Sequence, residues 1–415
     1  MNCPKLSKNK TLILLTDSYP YGHGELFLDE EVDILSKNFQ ILYIYTMATD
    51  HRKKRSIPSN VTILVPSQLL LRKKLKYALD AITSLVLWAD FFSIKSRFKH
   101  SPGWLHLKIL LADYINGKHI AHDISCFCKE VTIDPSSTVF YSYWHDAKAL
   151  ALSFLKAERT IKAIARGHGW DIDYCRHSPG YLPFKNYIVF SLTKTISISD
   201  FGQRMLEAVT EVNNHYKISK SYLGKKNTRK PLIEKTGNQI LICSCSSMIP
   251  LKRVDWIIKV IAILKYDLVH WVHFGDGPQR LDLEKLADDY GVSYEFRGNI
   301  GNDKILDFYA QNYVDLFINL SSSEGVPVSI MEAQSAGIPV LALDLGGCSE
   351  IVNNENGVLL NKEVGFSEIS KAIQDYLTSN KEVHNAKRIL SYESWKGKFD
   401  GTVNFNEFSS MLQDI

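Results

Sequence analysis

The 415-residue chain lacks any apolar run of the roughly 18 to 20 residues needed to span a bilayer. Its longest candidate, "AITSLVLWADFFSI", is broken by Asp90. The start, "MNCPKLSKNKTLILLT", has basic residues and then an apolar run shorter than the core of a signal peptide, so it reads as a first strand. There is little cysteine. Seven is an odd count without framework spacing, which argues against a disulfide scaffold and for a reducing, cytoplasmic setting. Cys126/Cys128 and Cys243/Cys245 are C-x-C pairs and read as small buried residues rather than metal ligands. No low-complexity tract is present, and neither half offers G-x-G-x-x-G after its first strand, which disfavours a nicotinamide-dependent dehydrogenase. No D-x-D is recognised at a strand end, so no metal site is expected.

What is present is charge, unevenly placed. Residues 1–230 hold 33 Lys+Arg against 20 Asp+Glu, and the remainder 16 against 25, although the whole chain is only +4. Such a split points to different partners for two domains. Residues 51–99 carry 11 basic and two acidic side chains. Nucleic acid, an anionic membrane surface and a plain solvated helix face all fit that patch. Within it Arg72, Lys73, Lys74 and Lys76 alternate with Leu71, Leu75 and Leu79. An amphipathic helix there either rests on a membrane or packs on its own domain, and the pattern does not decide.

Strand and helix patterns alternate from end to end, without hairpin signals. The fold class is therefore α/β, with two doubly wound, Rossmann-like parallel sheets. "TLILLT" hands over to a helix through a loop containing Gly22 and Gly24. There Glu25 is expected to cap the helix. Later strands end in polar loops, at Trp144 and His145, at Arg166, His168, Trp170 and Asp171, and before Ser199. In open α/β sheets that edge is where ligands bind. Residues 67–120 read as one long helical region and 217–238 as a basic interdomain linker. The domains are placed at 1–228 and 238–395, with 396–415 completing the first.

The most informative stretch is "SSSEGVPVSIMEAQSAGIPVLALDLGGCSEIV", residues 321–352. Glu324 and Glu332 bracket a turn and the opening of a helix. Pro327 suits its first turn, Gly337 its stop, and Gly346-Gly347 allows close backbone approach. Amides near Gly325 and Val326 at a helix N-terminus suit an anionic, oxygen-rich ligand.

With "FGDGP", "FRGN" and "SYPYGHGELFLDEE", this E-x7-E stretch makes the chain resemble GT-B glycosyltransferases of the retaining GT4 type over nearly its whole length. The resemblance implies a nucleoside-diphosphate sugar held in a cleft between two Rossmann-like domains. Glu332 would take the ribose hydroxyls. Glu324 would face the donor sugar, and Gly325, Val326 and Pro327 would hold its hydroxyls or phosphate. Lys252 would neutralise the diphosphate, and His168 would contact the sugar near its anomeric carbon. Gly22 and Gly24 would border the phosphates and the acceptor, and Gly275 would help bind the donor. Arg166, Trp144 and His145 are candidates for the acceptor side.

One departure stands out. The family's arginine five residues before the lysine is Ser247 here, so Arg253 or Arg166 is expected to supply the missing cation. The implied activity is retaining, metal-independent hexosyl transfer without a cofactor, onto a saccharide or lipid-linked saccharide. It would take place in the cytoplasm or on the inner face of the cell membrane, with no nucleic acid partner. The alternatives are a non-catalytic binding protein of that fold, an inverting transferase or a nucleotide-sugar epimerase.

Overall fold

The computed structural model describes residues 11–22, 24–48, 54–264 and 268–415. The chain divides into two units, one of residues 1–222 and 405–415, the other of Leu223–Asn404. The sequence had placed the ends of the first at 228 and 396.

The first unit is built on seven parallel strands in the order β3-β2-β1-β4-β5-β6-β7. They are β1 (Thr11–Thr16), β2 (Ile41–Thr46), β3 (Val61–Leu64), β4 (Thr138–Ser142), β5 (Lys162–Gly167), β6 (Lys194–Ser197) and β7 (Ile218–Lys220). Leu12–Leu15 and Val139–Tyr141 are almost wholly buried, the continuous apolar pattern of strands covered on both faces. Two strands depart from the sequence reading. β3 was not anticipated, and β7 lies inside the stretch read as linker, where Ile218 pairs with Thr195 of β6.

The long helical region is three helices, Leu71–Ile82, Leu85–Phe98 and Trp104–Glu130. Thr83 ends the first and Ser84 caps the second, its hydroxyl accepting from the Leu87 N–H at 3.3 Å. Of the last helix, Gly401–Asp414, Phe408 and Leu412 belong to the core formed by Leu12, Leu14, Tyr141 and Ile164.

The second unit repeats the plan with six parallel strands in the order β10-β9-β8-β11-β12-β13. They are β8 (Ile240–Cys245), β9 (Val269–Phe274), β10 (Tyr294–Phe296), β11 (Leu316–Asn319), β12 (Val340–Leu343) and β13 (Gly357–Leu360). In both sheets the strand order reverses beside the first strand of the unit, between β1 and β4 and between β8 and β11. Loops leaving the carboxyl ends of these strands diverge there and leave a crevice for ligands.

Candidate active site

At the switch point of the second sheet, two loops are stitched together by backbone. The Ser322 N–H and hydroxyl both reach the Leu251 carbonyl, at 2.8 and 3.1 Å. That bond sets the short 3-10 turn Pro250–Lys252 beside the exit of β11. Lys252 Nζ consequently lies 2.6 Å from Glu324 Oε1, and Asn319 Nδ2 approaches the same oxygen at 3.4 Å. The lysine is partly exposed, the glutamate nearly buried.

Gly346, at φ +58°, leaves no room for a side chain, because a Cβ there would sit 1.9 Å from the Glu324 carbonyl oxygen. Gly347 donates its N–H to the Gly325 carbonyl at 2.8 Å. The glycine pair thus fixes the height of the Glu324 loop by direct backbone contact. Gly275 has the same function on the other side of the crevice. Its φ is +132°, and a Cβ there would meet the Ser246 carbonyl at 1.9 Å.

Pro327 is the N-cap of the helix Val328–Ser335 rather than its first residue, since ψ 119° keeps it outside the helix. Val326 is buried beside it. Glu332, at the start of the second turn, is 4% exposed, and Lys225 Nζ stands 3.9 Å from its Oε1. Lys225 was hidden in the supposed linker. Its role depends on a contact 107 positions away in sequence, which periodicity does not report.

The two residues expected to supply the missing cation are both engaged elsewhere. Arg253 takes a left-handed conformation at φ +48° and lies over the Trp256 ring, 4.5 Å from its centroid. Arg166 is wholly buried in the first unit. It pairs with Glu31 at 3.0 Å, donates to the carbonyls of Ser221 and Tyr222, and lies 4.2 Å over Phe408. It is a strut of the fold and reaches neither a donor nor an acceptor. Burial pushes the Glu31 carboxyl up, against the opposing pull of Arg166 and the Tyr141 hydroxyl.

The carboxyl edge of the first sheet is organised by Glu25, which does not cap a helix. At φ +52° its carboxylate turns back into the loop. There it accepts from the backbone N–H groups of Asp17, Ser18 and Tyr19 at 3.0, 2.7 and 2.6 Å. Trp144 Nε1 donates to it at 2.6 Å. Arg55 closes the loop from outside by donating to the carbonyls of Gly22 and Gly24. Gly22 is in the left-handed region with open space around it, whereas Gly24 packs on the Ser18 hydroxyl.

Asp171 ties two neighbouring strand ends together. It accepts from the N–H groups of His168 and Gly169 at 2.8 and 3.1 Å, and from that of His145 at 2.7 Å. Asp171-Ile172-Asp173 is a D-x-D four residues beyond β5, which the reading of the sequence passed over. Both acids are engaged in the loop itself, Asp173 with the Cys175 N–H at 3.1 Å.

His168 sits among Tyr143, Trp144 and Phe27, with ring centroids 4.2, 4.7 and 6.2 Å away. Neither ring nitrogen has a hydrogen-bond partner among the described residues. Burial, and then the charge of Arg166, push its pKa well below the ordinary histidine value, so the imidazole is neutral. His145 is also neutral, but it is fully buried and unavailable to an acceptor.

Trp144, by contrast, lines a cavity of about 460 Å³ in this unit, together with Trp170, Asp17, Asp113, Asp146 and Lys185. Below its floor the buried Lys148 pairs with Asp17 and Asp146. Burial opposes the ammonium charge, but the two carboxylates more than offset it and raise the pKa. Among the described residues Asp113 makes no such pair, and burial, then the nearby Asp146, push its carboxyl up to about 6. Asp113 lies in the middle of a helical stretch that gave no motif, so nothing in the sequence marked it.

Residues 225–389 match the family of glycosyl transferases group 1. The match covers most of the second unit. Among curated relatives of this chain is an O-antigen biosynthesis glycosyltransferase of Escherichia coli. It is 29% identical over 135 residues, which are 32% of this chain and 38% of the relative. The chain thus spans well under half the length of that relative.

Solved structures resemble the chain along nearly its full length. The sucrose-phosphate synthase of Thermosynechococcus elongatus superposes with a TM-score of 0.71 at 12% identity, covering 98% of this chain and 99% of the other. Anabaena HepE, solved with UDP and glucose, gives 0.63 at 13% identity, covering 97% and 100%. At these identities the likeness establishes the fold alone, GT-B with two Rossmann-like units.

Proposed function

We propose that this protein transfers a sugar from a nucleoside-diphosphate sugar to a saccharide or lipid-linked saccharide in surface-polysaccharide assembly. The transfer retains the anomeric configuration, needs no metal, and takes place at the cytoplasmic face of the membrane. What carries the reading is the Lys252–Glu324 pair, 2.6 Å apart at the switch point of the second unit, with Glu332 on the adjoining helix.

As the glycosidic bond to the diphosphate breaks, negative charge collects on the leaving oxygens, and a fixed cation there lowers the barrier. Lys252 is that cation. When it turns to the diphosphate, Glu324 is released to accept hydrogen bonds from the donor-sugar hydroxyls, and Glu332 accepts from the ribose. The acceptor oxygen bonds to the anomeric carbon on the face from which the phosphate leaves. Its proton passes to a phosphate oxygen, and the nucleoside diphosphate departs. The likeness to HepE, solved with UDP and glucose, and to an O-antigen glycosyltransferase supports the donor and acceptor classes.

The cavity beside Trp144 and Trp170 suits the acceptor ring. Aromatic faces cover its C–H surface, and Asp113 accepts a hydroxyl hydrogen.

Nucleotide release from a panel of nucleotide sugars tests the reading. Lys252→Ala should lose roughly a hundredfold or more in turnover, the usual scale for one preorganised electrostatic group. Arg253→Ala should change little. Equal turnover of Lys252→Ala and the parent protein refutes the assignment, and product NMR showing an inverted anomer refutes retention. Loss of activity in EDTA refutes metal independence.

A further inference from the structure

The helix Leu71–Ile82 has two apolar faces, and only one is packed. Tyr77 and Ala81 are its buried residues. Leu71, Leu75, Leu79 and Ile82 are 72%, 57%, 66% and 63% exposed. At about 100° per residue these four fall within an arc of roughly 80°, centred about 140° from the buried pair. A helix that merely covers its own domain would be polar there. Arg72 and Lys76 border the stripe on one side and Lys74 on the other, all exposed.

The next helix repeats the arrangement. Leu87, Asp90, Ile94 and Phe98 are buried, while Leu85 and Phe92 on the opposite side are 86% and 70% exposed. Trp104, opening the third helix, is 79% exposed. Residues 71–108 hold eight basic and two acidic side chains. Of the acids, Asp90 is buried and Asp80 is engaged by Lys118 and Tyr114.

We propose that this face of the first unit docks on an anionic lipid bilayer, with the stripe Leu71–Leu75–Leu79–Ile82 entering the interface and the flanking cations meeting the headgroups. A stripe of leucines rimmed by lysine and arginine matches both layers of such a surface. No single helix among the described residues is long and apolar enough to cross a membrane, and the first two helices meet at 62°. The cations of the first helix also oppose burial in hydrocarbon. A second copy of the chain, related by a twofold axis, would set the same cations against each other. The inference stands on the helix faces and is independent of the transfer chemistry.

Vesicle co-sedimentation of the full chain tests it. Binding to vesicles with about 30% phosphatidylglycerol should exceed binding to pure phosphatidylcholine at least about tenfold, and should fall by a similar factor between about 0.1 and 0.5 M salt. Leu75→Glu/Leu79→Glu should abolish binding with an unchanged thermal midpoint, and Arg72→Gln/Lys74→Gln/Lys76→Gln should remove the salt dependence. Equal binding to neutral vesicles, no binding at all, or full binding by Leu75→Glu/Leu79→Glu overturns the proposal. So does a lipid-free dimer that this double variant converts to monomer. A chain that binds these vesicles yet turns over no nucleotide sugar would leave this inference standing and refute the transfer reading.

Discussion

Replacing Arg166 by methionine separates a structural cation from a functional one. The guanidinium is 0% exposed, 3.0 Å from the equally buried Glu31, and lies over Phe408. Methionine keeps much of the stem but leaves the Glu31 carboxylate with the Tyr141 hydroxyl at 3.0 Å and no counter-charge. Removing one partner of such a buried pair costs about 3–5 kcal/mol. In a unit of this size that lowers the melting midpoint by roughly 6–20 °C at neutral pH.

The loss should depend on pH. Burial already raises the Glu31 pKa, and without Arg166 it rises further. Between the unfolded value of about 4.3 and that higher folded value, the native state holds a proton that the unfolded state has released, so stability falls as pH rises. Arg166→Met should therefore lie closest to the parent protein near pH 5 and furthest from it at pH 8. Glu31→Gln leaves a buried arginine that does not deprotonate, so it gains no such relief in acid. The double variant should recover part of the loss, because neither charge is then stranded. Urea and thermal unfolding at three pH values measure all of this. An Arg166→Met protein with parental stability and abolished turnover would refute the structural assignment.

Gly346→Ala forces a Cβ into the Glu324 carbonyl at a positive φ, so it should weaken binding of the nucleotide sugar proposed as donor and lower stability by about 1–3 kcal/mol, read by calorimetry and denaturant titration. Asp113→Asn should raise stability at pH 8 and change it little near pH 4. The native carboxyl titrates at about 6 and is penalised once both states are ionised, and the penalty fades as pH falls through that value. Glu25→Gln weakens the acceptor for three backbone N–H groups, so faster hydrogen exchange at Asp17, Ser18 and Tyr19 is expected.

The rhythm of strands and helices was legible because strands such as β1, β4, β11 and β12 are short apolar runs buried on both faces, and Glu324 and Glu332 because their turn, helix and following strand are contiguous. What escaped was set by distant partners. Arg166 looks like a ligand group at a strand end until Glu31, 135 positions earlier, is found against it. Glu25 carries the ordinary signal of a helix cap, and its left-handed backbone sends the carboxylate elsewhere. β7 is three residues long, with Lys217 before it and Lys220 as its last residue, too short to show alternation, so pairing with β6 alone makes it a strand. Leu71–Ile82 has apolar residues on two sides, and periodicity does not say which side is packed.

The placement of Phe408 and Leu412 in the core of the first unit bears on how the chain is made. A ribosome delivers Thr11 to Tyr222 long before Phe405, so the earliest unit to emerge waits for the last helix to cover its buried ion pair. The second unit, Leu223–Asn404, is continuous in sequence and has all its residues first. Synthesis and completion therefore run in opposite order, and in the interval the nascent first unit exposes the apolar ground on which Phe408 later rests.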